Sequence, residues 1–442
     1  MASATQNAPA AMYRRDEGLG IWEHRGKVVA VGVGHSPTDR RWDSRPETSV
    51  GAYAIIALRQ AIEDAGIRPD QVDGIVMDSS TTTGASWPRG KPIPEDFQKA
   101  FKPGANPVDG ISALSTEWIL ANMPELTNIK FSMYGPGCMS NAIVVAAQAV
   151  GNGQAQNCLV LKAWDNLEGR YGQGGENAED TISGNAQWSN PWGPTGPNLW
   201  ALMFNAYTTK YGGNHDMMAN FVLNETRNGL MFPEGFWAQH RPEVLTREDY
   251  LNARWIAKPA NIFDCDIPIT VGAAYLFTTP ERAKDMKQKP VYILNHTSTR
   301  PKNRSIVQTL EECQESTDFT ARKLYEGAGI TPKDLTFENM YDGYTLFHQY
   351  FLEGLRFAGV GRGEALEFYE HGDLTIEGPN PVSPSGGNRG SGRTRFWMHS
   401  DSIQQIQGRA GARQIKIKAE IGVSGGPMPT SGDFTIWSAS PD

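Results

Sequence analysis

The chain repeats itself at long range, and this limits its possible folds more than any other feature. Lys27 to Val33 (KVVAVGV) is a β-branched run closed by Gly32 and Gly34, the pattern of a buried strand. From Ser49 onward, Ala54, Ile55, Leu58, Ala61, Ile62 and Ala65 fall at helical spacing, and Gly66 stands in the C-cap place. A second strand follows at Gly74 to Met77. The same order returns later. Pro290 to Leu294 reads as a strand, and a helix through Phe319 and Leu324 to Ala328 stops at Gly329. The tails AGIRPDQVD and AGITPKDLT share Ala-Gly-Ile-x-Pro. Gly66 to Gly329 and Lys27 to Lys289 are the same interval to within one residue. Two landmarks at one offset predict a duplicated βα unit.

The duplication extends further. A helix with Ala142, Ala146, Ala147, Ala149 and Val150 on its buried sides follows Gly135-Pro136-Gly137, and the strand Cys158 to Trp164 follows it. In the second half, a helix from about Ser400 to Gln407 precedes a strand at Gln414 to Ile421. Each half thus reads strand–helix–strand, a gap, helix, strand, an α/β architecture of mixed sheets covered by helices. Residues 1–25 read as an N-terminal arm. Residues 26–164 with 255–285 make the first half, and 286–442 the second. Between them 165–254 is an insertion rich in Gly, Asn, Trp and Pro, with helical stretches near Trp200–Tyr211 and Met217–Asn228. An insertion of this length suits a lid over an apolar ligand or a dimer contact.

Cys138 lies where the alanine-rich helix should begin. Unpaired amides and the helix dipole there favour a thiolate; the same place also suits a small buried side chain. The other cysteines are far apart and form no CxxC pair, as expected of reduced thiols in a cytoplasm. The eight histidines form neither HxH nor HxxxH, so no metal site is expected. A net charge of −8 without a basic block argues against nucleic acid or an anionic membrane surface as partner. No apolar run approaches the roughly 20 residues that span a bilayer. The first residues lack an apolar core before their arginines, so no signal peptide is expected.

These features resemble the thiolase superfamily over essentially the whole chain after the arm. Gly272-Ala273-Ala274-Tyr275-Leu276-Phe277 with Glu281-Arg282-Ala283, and Asn380 to Gly387 (NPVSPSGG), are similar to motifs of its sterol-carrier and lipid-transfer branch. Met340 to Thr345 (MYDGYT) stands where those thiolases carry His-Asp-Cys-Phe. The resemblance implies a duplicated thiolase fold: two βαβαβαββ-type halves, layered α/β/α/β/α, with a long loop insertion. Thiolases also need a Gly-His-Pro histidine after the NPSGG loop and usually a late cysteine, because Claisen chemistry uses an acyl-thioester and a second acid–base group. Here that loop is followed by NRGSGRTRFWMHS, and the late loop reads Val423-Ser424-Gly425-Gly426-Pro427.

One subgroup is similar in these respects, the thiolase-fold aldolases of steroid side-chain degradation. Trp164 to Gln173 (WDNLEGRYGQ) and Tyr341-Asp342-Gly343-Tyr344 resemble their motifs. The resemblance implies retro-aldol cleavage of a bulky, steroid-like or aryl β-hydroxyacyl-CoA to a short acyl-CoA and a ketone or aldehyde. It implies Tyr341, Tyr344, His399 and Cys138 as catalytic candidates. Asp342, Gly386, Gly387, Gly425 and Gly426 are the implied substrate-binding residues. No cofactor is implied beyond the CoA thioester; zinc enters only through a separate small OB-fold/zinc-ribbon partner. A homodimer is expected. The competing readings are an acetyl-CoA acyltransferase using Cys138 and a non-catalytic lipid-binding subunit.

Retro-aldol chemistry needs a base for the β-hydroxyl, donors at the thioester oxygen and an acid for the enolate. The Gly386–Gly387 turn could offer amides to that oxygen, or be a turn only. Tyr341 and Tyr344 share one face if they open the helix that runs through Phe347, Tyr350, Phe351 and Leu355; the same spacing suits an aromatic core stripe. A phenol has an ordinary pKa of about 10, so Tyr341 needs amides, a cation or a shared water beside it. His399 reads as an acid–base candidate or a structural histidine.

Overall fold

The computed structural model describes residues 20–78, 92–102, 110–111, 113–135, 139–164, 196–297, 309–426, 429 and 432–442. Strand β1 (Val29–His35) is followed by helix α1 (Val50–Ala65), β2 (Gly74–Asp78), β3 (Phe131–Gly135), α2 (Met139–Gly151) and β4 (Cys158–Trp164). Helices α3 (Gly196–Tyr211) and α4 (Ala219–Leu230) lie in the insertion. The short strands β5 (Trp255–Ala257) and β6 (Ala260–Asn261) lead to β7 (Val271–Thr278). The second half is β8 (Val291–His296), α5 (Leu310–Ala328), β9 (Phe337–Met340), α6 (His348–Leu355), α7 (Trp397–Gln407), β10 (Ile421–Gly425) and β11 (Phe434–Ser438).

The nine long strands run β3-β2-β4-β7-β1-β8-β11-β10-β9. β1 and β8 meet antiparallel at only two register positions, Val29 with Tyr292 and Ala30 with Val291. Outward from this junction the two sides match: β1 with β8, β7 with β11, β4 with β10, β2 with β9. The counterpart of β3 is reduced to one parallel bridge between Glu338 and Val382. Three apolar clusters separate the layers. One joins α1 to β-strand residues Val29, Val31, Leu159 and Leu276. The central one holds α2 and α7 between the halves, with Ala30, Val160, Tyr275, Ile293 and Trp437. The third packs α5, α6, α3 and α4 on the far face of the second half. Alternate residues of each strand therefore serve different layers, as the period of two requires.

The repeat has the same structure twice. Ser49 caps α1, its hydroxyl accepting from Ala52 N at 3.2 Å. Gly66 and Gly329 both close their helices in the left-handed conformation, at φ 74° and 65°, which glycine adopts without Cβ strain. A 3₁₀ turn at Pro69–Gln71 or Pro332–Asp334 follows each. Gly32 and Gly34 let α1 approach β1 closely, since an added Cβ would lie 2.1 Å from the carbonyl oxygen of Ala61 or Ala57.

One expectation changes. The strand expected at Gln414–Ile421 begins only at Ile421. The preceding segment instead bonds out of the sheet, Lys416 N donating to Ile376 O and Glu420 N to Thr336 Oγ1. Trp200, Phe204 and Tyr207 are buried in the third cluster with Phe347 and Tyr350.

Candidate active site

Tyr341 leaves the carboxyl end of β9, and its N–H donates to Gly425 O at the end of the neighbouring parallel strand β10, 2.8 Å away. Ligand sites in α/β sheets gather at such strand ends. The next residues do not continue as a helix. Tyr344 caps a 3₁₀ turn, Thr345–Phe347, that leads into α6. The tyrosines therefore do not share a helical face; both pack on the Phe347 ring, Tyr341 stacked at 5.7 Å and Tyr344 edge-on at 5.9 Å. Gly343 makes the bend, because a Cβ there would lie 2.0 Å from the Tyr341 hydroxyl.

A second segment brings a carboxylate the sequence reading did not single out. Cys265 bridges Tyr344 antiparallel, and Asp266 N donates to Gly343 O at 3.0 Å. Asp264, fully buried, fastens this segment by accepting from Thr345 Oγ1 at 2.6 Å and Tyr250 OH at 2.8 Å. The result faces Asp266 toward Tyr341, whose hydroxyl donates to Asp266 Oδ2 at 3.4 Å. Arg393 Nε lies 3.5 Å from the same oxygen, and the Arg395 guanidinium stands 5.6 Å from the Tyr341 ring centre. Tyr344, Cys265, Arg393 and Arg395 are half-buried around this pair. The signals for these residues were faint: two aspartates in Phe263-Asp264-Cys265-Asp266, and Arg-Thr-Arg where a thiolase would keep its histidine.

Burial sets the protonation states. It pushes Asp266 up to about 7, with Arg393 pulling the other way. It also raises Tyr341 above the ordinary phenol value, and Arg395 only partly offsets that. The cation expected beside Tyr341 is present, but desolvation outweighs it. Tyr341 is thus a neutral phenol at neutral pH, and Asp266 titrates where a general base works best. Tyr344 is likewise raised by burial, and Cys265 is pushed up to about 12, a thiol and not a thiolate.

Other expected site residues have different settings. Asp342 is fully buried and accepts from Asn388 N (2.7 Å), Asn388 Nδ2 (2.8 Å) and Arg389 N (2.7 Å). It anchors the loop after NPVSPSGG. The amides expected at the thioester oxygen are spent within the protein: Gly386 N on Ser383 O, Gly387 N on Ser385 Oγ, Gly426 N on Asp433 O. Gly425 meets the site only through its carbonyl oxygen to Tyr341 N, and a Cβ on it would lie 2.1 Å from Asp433 O. Helix α4 supports this loop from behind, Asn224 and Asn228 donating to Val382 O and Ser383 O.

His399 is not the acid–base group expected. It is fully buried in α7, Nδ1 2.6 Å from Ser424 Oγ and Nε2 3.0 Å from Ser140 Oγ. Burial drives its pKa down to about 3. It stays neutral with both nitrogens engaged, tying α7 to Ser140 of α2 and Ser424 of β10. Cys138 and the segment Asp165 to Gln173 lie outside the described residues. Among the described residues no group of three or more His, Cys, Asp or Glu side chains is placed to hold a metal ion.

Comparison with known proteins agrees with this architecture. Residues 298–431 match the family described as thiolase C-terminal domain-like. The chain is 24% identical over 424 residues to a steroid side-chain-cleaving aldolase of Thermomonospora curvata, across 92% of this chain and 97% of that protein. It is 26% identical over 431 residues to a 17-hydroxy-3-oxo-4-pregnene-20-carboxyl-CoA lyase of Mycobacterium tuberculosis, across 92% and 98%. Among solved structures it resembles the Ltp2-ChsH2(DUF35) aldolase, with a TM-score of 0.72 at 22% identity over 94% of this chain and 98% of that one. With its two halves folded alike around a shared helical layer, the chain has the fold of the thiolases, and its second half matches the thiolase C-terminal domain-like family.

Proposed function

We propose that the chain is a carbon–carbon lyase that cleaves a bulky, steroid-like or aryl β-hydroxyacyl-CoA by a retro-aldol reaction. The observation that carries this is the buried Tyr341–Asp266 pair between two arginines, in place of an acyl-transfer histidine. The full-length relatives named an aldolase and a CoA lyase support it. In the reaction the β-hydroxyl proton passes to Tyr341 as Tyr341 gives its own to Asp266. The oxygen electron pair forms the carbonyl of the released ketone or aldehyde. The Cα–Cβ pair moves to the acyl fragment as a thioester enolate, and the proton held by the pair returns to Cα. No acyl-enzyme and no cofactor beyond the CoA thioester is called on.

Release of ketone or aldehyde with a short acyl-CoA from a β-hydroxyacyl-CoA tests the reading. A Cys138→Ala variant is expected to keep cleavage within about threefold of wild type, since proton transfer by other groups carries the rate. A variant that folds but is inactive, with wild type taking up acetyl from acetyl-CoA on Cys138, would favour an acyltransferase.

The active species in this reading is a cytoplasmic homodimer with a small OB-fold/zinc-ribbon partner; the solved aldolase likewise names two components. No described helix is long and apolar enough to cross a membrane. Support for the dimer comes from β3. Among the described residues it is an edge strand of the sheet, paired only to β2, and it exposes Met133 and Tyr134 at 48% and 44%. An apolar open edge of this kind calls for a covering strand. Met133→Glu is expected to shift the protein from dimer to monomer in sedimentation at micromolar concentration. An unchanged dimer would move the interface elsewhere.

A further inference from the structure

We propose that Arg395 is a catalytic residue of this lyase, the guanidinium that holds the negative charge of the thioester enolate; the proposal rests on the reading above. The charge must go somewhere when the Cα–Cβ pair moves to the acyl fragment, and donors aimed at it are the usual means of stabilising it. The turn amides of Gly386, Gly387 and Gly426 are already bonded within the protein. Of the two arginines at the pair, Arg393 lies against the Asp266 carboxylate. Arg395 lies over the Tyr341 ring, its guanidinium 5.6 Å from the ring centre, beside the phenol that takes the substrate's proton in this reading.

The backbone is bent to put it there. Arg395 has φ 61°, in the left-handed region that non-glycine residues avoid. The conformation is held by Asn388, whose Oδ1 accepts from Thr394 N at 2.9 Å and Arg395 N at 2.8 Å. Asn388 in turn is fixed by Asp342, the neighbour of Tyr341. A closed circuit of Tyr341, Asp342, Asn388 and Arg395 thus sets guanidinium against phenol. Strain maintained in this way is a mark of a functional position, since an unconstrained turn would use glycine.

Arg395→Gly separates the roles, because glycine fits the left-handed conformation while deleting the guanidinium. The variant is expected to unfold at the same or a higher temperature and to cleave about a hundredfold more slowly, the usual loss of one oxyanion donor. A second assay reads the enolate alone: exchange of the α-protons of propionyl-CoA for deuterium in D₂O, by mass spectrometry, with any co-purifying partner retained. Wild type should exchange, Arg395→Gly should lose about a hundredfold there too, and Arg395→Lys should recover part of both activities. Arg395→Gly that cleaves and exchanges like wild type overturns the proposal, as does a loss confined to KM. If Arg395→Gly is unstable, the same two readings on Arg395→Gln decide. Wild type that neither cleaves nor exchanges overturns the lyase reading itself, and the proposal with it.

Discussion

Tyr341→Phe is expected to lower turnover by at least about a hundredfold while leaving thermal stability nearly unchanged. General acid–base groups typically contribute about 10²–10⁴-fold, and Phe keeps the ring that packs on Phe347. What it deletes is the hydroxyl. The hydroxyl's hydrogen bond to Asp266 is long at 3.4 Å, so little folding energy goes with it. Burial raises the phenol's pKa, so in the proposed reaction it acts as a relay, giving a proton to Asp266 as it receives one from the substrate. A relay is lost wholly with the hydroxyl, because the Asp266 carboxyl would then face a ring edge across a gap. A Phe variant that cleaves within about threefold of wild type would sink the assignment. Tyr344, half-buried and edge-on to Phe347, would then be tested first.

The site was legible in the sequence only where it is local. Tyr341 was singled out because it interrupts a motif, but the bend at Gly343 that separates the two tyrosines was not. The halves were legible because AGIRPDQVD and AGITPKDLT each encode a helix stop, a proline turn and a strand entry within nine residues. Asp266 had no such signal. It is 75 residues from Tyr341, and an antiparallel bridge between Cys265 and Tyr344 brings it in. Such a bridge is a tertiary contact without a periodicity. His399 shows the opposite error. Its residue type suggested acid–base work, but its place in the central helical layer removes solvent and charge, and desolvation decides its protonation. The Gly386–Gly387 turn had the right shape for an oxyanion site. Its amides are used up by Ser383 and Ser385, which only the folded loop reveals.

Asp266→Asn is expected to cost about 10²–10⁴-fold in kcat/KM and to change the shape of the pH profile, which a merely structural aspartate would not do. In wild type the base is the carboxylate, and burial raises its pKa to about 7. The rate should therefore climb with pH up to about 7 and level off above it. The asparagine variant should lack that rise. Stability should move the other way. A carboxyl whose folded pKa is raised stabilises the fold fully below the unfolded value, near pH 4, and that contribution is lost as pH rises through about 7. The gap between the two values corresponds to roughly 4 kcal/mol, an upper figure because Arg393 and Tyr341 readjust with the charge. Asn cannot ionise, so the variant should gain stability relative to wild type between about pH 4 and 7 and keep the gain above it. Urea unfolding of both proteins at pH 5 and pH 8 measures this. Equal pH slopes for the two proteins would mean that Asp266 is already ionised at pH 5, too weak a base for the β-hydroxyl, and the proton would have to leave by another group. A variant that is both slower and more stable at pH 8 is the signature of a buried carboxylate kept for chemistry at the expense of the fold.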